Sequence, residues 1–280
     1  MKEISAELVT GTVRDLFLEA NRCIGRDIEE AITAAAEKEA LPAAVNVLKQ
    51  IAASYRIARE EKLAICQDTG LAVLFVELGQ EVRLGGDFTR AVNEGVRQAY
   101  TQGYFRASVV EEPLFERLNT RDNTPAVIHL ELVPGDHLTL TAMPKGFGAE
   151  NCSRTKVFPP ASTIDDIRDY VVDTVRAAGP NVCPPSFVGV GIGGTLEVAV
   201  LLAKKTFLRP LGRRHPDPRY AELEEQWLEA VNRLGLGPGG LGGATTALAV
   251  NINTGPTHIA AVPVAVNFCC HASRHARRTL

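Results

Sequence analysis

The chain has 280 residues, of which 45% are apolar and 22% charged, and its formal net charge is −3. A chain of this length and composition can bury a substantial core. The charge argues against a nucleic-acid-binding protein, because no overall basic field is available to hold phosphates. We see no secretory leader and no apolar run long enough for a membrane span, and we therefore expect a cytoplasmic protein.

The first sixty residues predict a helical layer, since apolar residues recur there every three or four positions. Residues 71–78 predict a buried strand, and two alternating segments around Pro134-Gly135-Asp136 predict a hairpin. The C-terminal half predicts helices at 163–178 (with Ser162 as N-cap), 196–207 and 218–234, and strands at 187–192, 244–252 and 258–266.

This mixture of elements predicts an α/β (mixed α+β) fold, with the helical N-terminal layer packed on β-sheets and glycine-rich loops between them. We expect residues 1–280 to form a single domain, because no clear boundary interrupts the chain. The loop at 209–218 joins predicted elements without marking such a boundary.

The six cysteines are few and widely spaced, which indicates a reducing compartment in which they serve as core residues, metal ligands or nucleophiles. They are Cys23, Cys66, Cys152, Cys183, Cys269 and Cys270. Cys66 begins a Cys-Gln-Asp-Thr-Gly motif. This motif is either a helix-to-strand turn with a buried cysteine or a ligand segment whose neighbours contact substrate.

Three glycine-rich segments are ambiguous. Residues 145–151 are a flexible loop or a place where backbone N–H groups approach an anion. Residues 189–194 resemble a dinucleotide-binding loop only weakly, since no ribose-binding acid follows about twenty residues later. Residues 237–243 are a linker, a site of close backbone packing or a ligand cradle.

Two further features lie near the C-terminus. His258 is expected at the start of an apolar strand, where a hydrogen-bonded core histidine is the usual interpretation. The basic residues Arg274, Arg277 and Arg278 are interpreted first as a solvated tail and second as a surface complementary to a partner.

Six segments in order resemble the class I fumarase and L(+)-tartrate dehydratase family, in its α-type, cluster-carrying part. They are CQDTG, RDNTP, KGFGAEN, CPPSFVGVGIGG, GPGGLGG and GPTHIAAVPVAVNFCCHASR. The resemblance implies that three cysteines hold a [4Fe–4S] cluster. These match Cys66, Cys183 and Cys270, although the adjacent Cys269 leaves the third position ambiguous. Cys23 and Cys152 are expected to be structural.

The resemblance also implies the residues that face substrate. Gln67, Asp68, Arg106, Gly148 and His258 are expected to bind it, with Arg106 pairing with a carboxylate unless it is a surface arginine. Asp68 and His258 are expected to act in catalysis, His258 by bonding a substrate oxygen or assisting proton transfer.

The implied reaction is reversible hydration of a small dicarboxylate, with fumarate/L-malate expected first and L(+)-tartrate as the alternative. Three thiolate ligands leave one iron open as a Lewis acid, as in catalytic zinc sites. The β-type part is absent, so we expect a β-type subunit to complete the active site. The competing hypotheses are a redox or sensing iron–sulfur protein and a metal-free enzyme with Cys66 as nucleophile.

Overall fold

A computed structural model describes residues 2–280 of the chain. The chain divides into two compact units. Unit 1 comprises the N-terminal residues through Gly25, Ser54–Phe147 and Arg274–Leu280, and unit 2 comprises Arg26–Ala53 and Gly148–Ser273.

The elements mix helices and strands along the chain, which confirms the predicted mixed α/β class. The helices are α1 (Ala6–Arg22), α2 (Arg26–Lys38), α3 (Pro42–Glu60), α4 (Phe88–Gln102), α5 (Phe147–Glu150), α6 (Ile164–Ala178), α7 (Leu196–Lys205) and α8 (Pro218–Asn232). The strands are β1 (Lys2–Ser5), β2 (Leu71–Gly79), β3 (Val82–Gly85), β4 (Val127–Val133), β5 (Leu138–Lys145), β6 (Arg154–Phe158), β7 (Ser186–Gly194), β8 (Ala247–Thr257), β9 (Val262–Cys269) and β10 (Ala276–Thr279).

The main sheet of unit 1 has the strand order β10-β5-β2-β4, so the predicted hairpin of β4 and β5 is wrong. Both strands form, but β2 lies between them, parallel to β4 and antiparallel to β5. The Pro134–Asp136 turn passes the end of β2, where Gly79 N–H donates to the His137 carbonyl at 2.8 Å. The apolar β2 is buried on both faces and therefore suits the centre of a sheet.

Helices α1 and α4 pack together on the sheet of unit 1 and supply most of its core. Leu16 and Phe17 of α1 are fully buried in a core that also contains residues of β2 and β5. Each helix begins at a polar cap, because the side chains of Ser5 and Asp87 accept N–H groups of the first turn.

The sheet of unit 2 has the strand order β6-β9-β7-β8, with β7 parallel to β8. Helix α7 packs closely on β7 because two strand positions lack side chains. A Cβ at Gly189 would meet the Ala203 carbonyl oxygen at 2.4 Å, and one at Gly191 would meet that of Ala199 at 1.9 Å. These glycines of the 189–194 segment therefore lie within a strand and allow a helix to pack closely on it.

The N-cap of α6 is Thr163, so the predicted N-cap at Ser162 is wrong by one residue. The Thr163 side chain accepts the Asp166 N–H, and the Asp166 carboxylate accepts the Thr163 N–H, which forms a capping box. The helix ends at Ala178, as predicted, and Gly179 is its C-cap.

The basic C-terminal segment is not a solvated tail. Residues 276–279 form the edge strand β10, paired with β5. Arg274 is only 4% exposed, whereas Arg277 lies at the surface and pairs with Glu77 at 2.7 Å. Among residues 2–280, no helix combines the length and the apolar character that a membrane crossing requires.

Candidate active site

The loop at residues 65–70, which contains the Cys-Gln-Asp-Thr-Gly motif, leads into β2 within unit 1. Gly70 has φ +74°, and a Cβ there would meet the Lys145 backbone at 2.7 Å, so only glycine fits. Thr69 is buried, and its hydroxyl donates to the Arg106 carbonyl at 2.8 Å.

Side chains from two other segments hold the buried end of this 65–70 loop. The Tyr100 hydroxyl donates to the carbonyls of Thr69 at 2.7 Å and Gly70 at 3.1 Å, and the Asn123 amide also donates to Gly70 at 3.1 Å. Burial raises the pKa of Tyr100, so its hydroxyl remains a donor at neutral pH. Side chains of the protein itself therefore hold the buried end of the loop.

Cys66 and Gln67 lie at the outer end of the same loop. Gln67 is exposed and Cys66 is half-buried, with its thiol donating to the Gln67 side-chain oxygen at 3.3 Å. All six cysteines are thiols rather than disulfides. Burial raises the pKa of the Cys23 thiol, whose residue follows α1 and caps its C-terminus.

Asp68 joins two loops of unit 1 through its carboxylate. One oxygen accepts the Gly70 N–H at 3.0 Å and the other accepts the Phe147 N–H at 2.8 Å. Gly146 lies beside it, since a Cβ there would be 3.3 Å from the carboxylate. Each oxygen retains a further acceptor position, so this positioning role is compatible with the predicted contact to substrate.

Arg106 extends from a segment anchored by its neighbour. Phe105 is buried and packs edge-on against Tyr100, with ring centroids 5.6 Å apart, whereas Tyr104 is 96% exposed and has φ +53°. The Arg106 side chain is exposed and forms no ion pair within residues 2–280. A guanidinium placed this way is available for a carboxylate.

Two of the predicted ligand segments lie side by side in unit 2. The His271 N–H donates to the Cys183 carbonyl at 3.3 Å, which brings Cys270 next to the Cys183 segment. Cys183 is exposed, and Cys270 follows the end of β9 and is partly exposed. Cys269 is the last residue of β9, pairs with Phe187 and is only 8% exposed.

The glycine-dense segment at 237–243 is a closely packed turn rather than a linker. A Cβ at Gly237 would meet the Gly242 carbonyl oxygen at 1.9 Å. The Gly239 N–H donates to the Pro184 carbonyl at 2.8 Å, so the turn supports the chain just after the Cys183 position.

Gly148 borders a cavity of about 420 Å³ in unit 2. A Cβ at Gly148 would be 3.7 Å from the Asn181 carbonyl oxygen, which is ordinary contact, so packing alone does not require glycine there. The side chains around the cavity that carry polar or thiol groups belong to Asn151, Cys152, Arg154, Thr174 and Asn181.

His258 does not begin a strand, as the sequence predicted, but lies in the turn after β8. It is exposed, so the interpretation as a core histidine is wrong. Its Nδ1 accepts the Ala260 N–H at 3.2 Å, which leaves Nε2 to carry the proton of the neutral ring.

The predicted site residues thus fall into two groups. Unit 1 brings together Cys66, Gln67, Asp68 and Arg106. Unit 2 contains the other four, of which Cys183 and Cys270 lie in adjacent segments, whereas Gly148 borders the cavity and His258 lies in the turn after β8. Over residues 2–280 the structure contains no cluster of three or more His, Cys, Asp or Glu side chains suited to a metal ion.

The sequence analysis did not predict which side chains support the 65–70 loop, namely Tyr100, Asn123 and Arg274. Asn123 and Arg274 belong to the quoted RDNTP and CCHASR segments, and that position was the only available signal. Tyr100 lies on the buried face of α4 and looks like a core residue.

Comparison with known proteins gives consistent matches along the chain. The family model described as "Fumarate hydratase (Fumerase)" matches residues 10–279. A Methanocaldococcus jannaschii protein named "Putative L(+)-tartrate dehydratase subunit alpha" is 37% identical over 273 residues, covering 96% of both chains. The L(+)-tartrate dehydratase subunit alpha of Escherichia coli K12 is 35% identical over 219 residues, covering 77% of this chain and 71% of its own.

Proposed function

The chain belongs to the fumarate hydratase family and is a hydro-lyase, and from that premise we propose that it is the α subunit of an L(+)-tartrate dehydratase. The observation that supports tartrate is the shared name of relatives from two distant organisms. Fumarate/L-malate hydration, which the sequence put first, is the second candidate, because only the description of the family model names it.

We propose that Cys66, Cys183 and Cys270 hold a [4Fe–4S] cluster. The donor chemistry fits, because each is a thiol with some exposure and iron–sulfur clusters take thiolate ligands. When bound, such a cluster supplies a Lewis acid for cleavage of the carbon–oxygen bond. Cys269 is the less suitable neighbour, since it is buried at the end of β9.

The remaining residues bind and orient the dicarboxylate. The exposed Arg106 guanidinium pairs with one carboxylate, and the Gln67 amide and the backbone at Gly148 offer hydrogen bonds. His258 presents Nε2 to a substrate oxygen, and Asp68 is the candidate to accept a proton from the substrate carbon. Loss of water from a 2,3-dihydroxy diacid gives an enol that rearranges to a 2-oxo diacid.

A β-type partner subunit completes the proposed site in the cytoplasm. The named relatives are α subunits, which implies a second kind of subunit in their enzymes. These names support a hetero-oligomer. Arg106 is exposed, and the partner would help to enclose the substrate that it binds.

Substrate preference is tested with the chain co-expressed with its β-type partner and purified without oxygen. We expect kcat/KM for L(+)-tartrate to exceed that for L-malate by at least about tenfold, which corresponds to ~1.4 kcal/mol of transition-state discrimination. A preference for malate would transfer the assignment to fumarate hydratase. The same two-subunit preparation with Cys66→Ser in this chain serves as the blank.

The same preparation separates the other hypotheses. A preparation that undergoes reversible one-electron reduction but turns over neither acid would indicate a redox or sensing protein. An iron-free, active protein that alkylation at Cys66 alone inactivates would indicate a cysteine nucleophile.

A further inference from the structure

Arg274 is a buried cation that the proposed chemistry does not use. Its side chain is 4% exposed, and Nη2 donates to the Asp68 carbonyl at 2.8 Å and to the Asn21 side-chain oxygen at 3.4 Å. A buried guanidinium is tolerated only where acceptors offset its loss of hydration. Both acceptors belong to unit 1, and one of them is the backbone of the 65–70 loop.

Asn21 holds the opposite end of the same short segment. Asn21 is fully buried, and its side-chain amide donates to the Phe17 carbonyl at 3.1 Å. Its backbone carbonyl accepts the Ile65 N–H at 2.9 Å. Asn21 and Arg274 therefore form a continuous bracket, with Ile65 bonded at one end and Asp68 at the other. Cys66 and Gln67 are the two residues that this bracket encloses.

The positive charge of Arg274 also acts on Tyr100, the other side chain that supports the loop. Burial raises the pKa of Tyr100, and the nearby Arg274 charge opposes that rise. Tyr100 bonds the two carbonyls that follow Asp68 in the loop. Three successive carbonyls, those of residues 68–70, thus have their donors in one buried polar cluster.

We propose that Arg274 is a positioning residue, which fixes the Cys66–Gln67 peptide through the Asp68 carbonyl. What the thiol and the amide then bind rests on the proposed function, but the positioning itself does not. Arginine suits this role because Nη2 carries two N–H groups, one for each acceptor, and lies at the end of a side chain longer than that of lysine.

The test measures alkylation of individual cysteines in the full-length, metal-free chain under native conditions, with Arg274→Lys compared with wild type. We expect Cys66 to react about tenfold faster in the variant, because loss of a charge-assisted hydrogen bond raises the population of the open loop. Cys23, in the same unit, should change by less than about twofold. The matched control is Arg277→Lys, whose exposed side chain pairs with Glu77.

An unchanged Cys66 rate in a folded Arg274→Lys chain would overturn the proposal, and so would equal acceleration at Cys23 and Cys66. If the variant does not fold, hydrogen exchange of the wild-type chain decides. The Ile65 N–H, which the Asn21 backbone carbonyl accepts, should then be protected nearly as well as the amides of β2, and exchange as fast as at Lys62 would refute the bracket. Neither the alkylation nor the hydrogen-exchange measurement needs substrate. Both therefore test the positioning role even if the assignment to tartrate fails.

Discussion

At the scale of single residues, Asp68 combines an observed structural role with a proposed catalytic one, and the two roles have different requirements. As a connector it must accept two backbone N–H groups, from Gly70 and Phe147. As the proposed proton acceptor it must keep one lone pair open toward substrate. A carboxylate can do both, because its two oxygens offer about four acceptor positions.

Asp68→Asn should separate these roles. The amide retains one acceptor oxygen and directs an NH₂ group at the other backbone N–H, so we expect a loss of ~1–2 kcal/mol in the free energy of unfolding. Urea denaturation measures it, with the exposed Asp136→Asn as a control that changes stability by less than ~0.5 kcal/mol. A variant as stable as wild type would show that the two loops are not held through Asp68.

Cys269 and Cys270, at the end of β9, have different surroundings, so we expect their substitution to have different effects. Cys270→Ser should abolish iron binding, because Cys270 lies beside the Cys183 segment and is accessible. Cys269→Ser should retain the iron and lose some stability, because Cys269 is buried in the strand. Iron analysis and visible absorption of anaerobically reconstituted protein measure both. Retention of a full cluster in Cys270→Ser would move the third ligand to Cys269.

Residue types predicted part of this site and could not predict the rest. Cys66, Gln67 and Asp68 are adjacent in sequence, so their proximity follows from the motif itself. The support from Tyr100 and Arg274 depends on tertiary contacts between segments up to about 200 residues apart, for which no local pattern exists. Each of these side chains, taken alone, resembles an ordinary core or surface residue.

At the scale of elements, periodicity located most helices and strands but not their partners. The alternation on either side of Pro134–Asp136 predicted two strands correctly and their pairing wrongly, because period two reports a half-buried strand and not which strand lies beside it. The shift of His258 from a strand to a turn has a similar cause. Strand β8 continues through Gly255 and Pro256, which the sequence alone marks as a turn.

The capping box of α6 provides a test at this scale. Thr163→Ala should lower the free energy of unfolding by ~1 kcal/mol, and Ser162→Ala should have little effect. The Thr163 N–H lowers the pKa of the Asp166 carboxylate. That half of the box is therefore formed above the ordinary pKa of an aspartate, and its contribution is lost as the pH falls below it. Thermal unfolding measures the effect of each substitution on stability at neutral and at acidic pH. Equal effects of the two substitutions would contradict the assigned cap.

At the scale of the whole molecule, the proposal requires a second polypeptide. The purified chain alone should turn over L(+)-tartrate at less than about one hundredth of the rate of the reconstituted pair, because a substrate site lacking its positioning groups loses at least ~2.7 kcal/mol of transition-state stabilisation. Steady-state assays with increasing amounts of partner measure this, with the iron content of the chain held equal in each mixture. Comparable turnover without the partner would show that the chain is catalytically complete.

The central position of β2 has a consequence for biosynthesis. The ribosome makes this nine-residue, largely apolar strand well before either neighbour, since β4 begins at Val127 and β5 at Leu138. Until both neighbours emerge, the nascent segment presents two open edges of high β-propensity, which are the features that favour intermolecular pairing. Pairing of this segment with other chains during that interval would then lower the yield of folded protein.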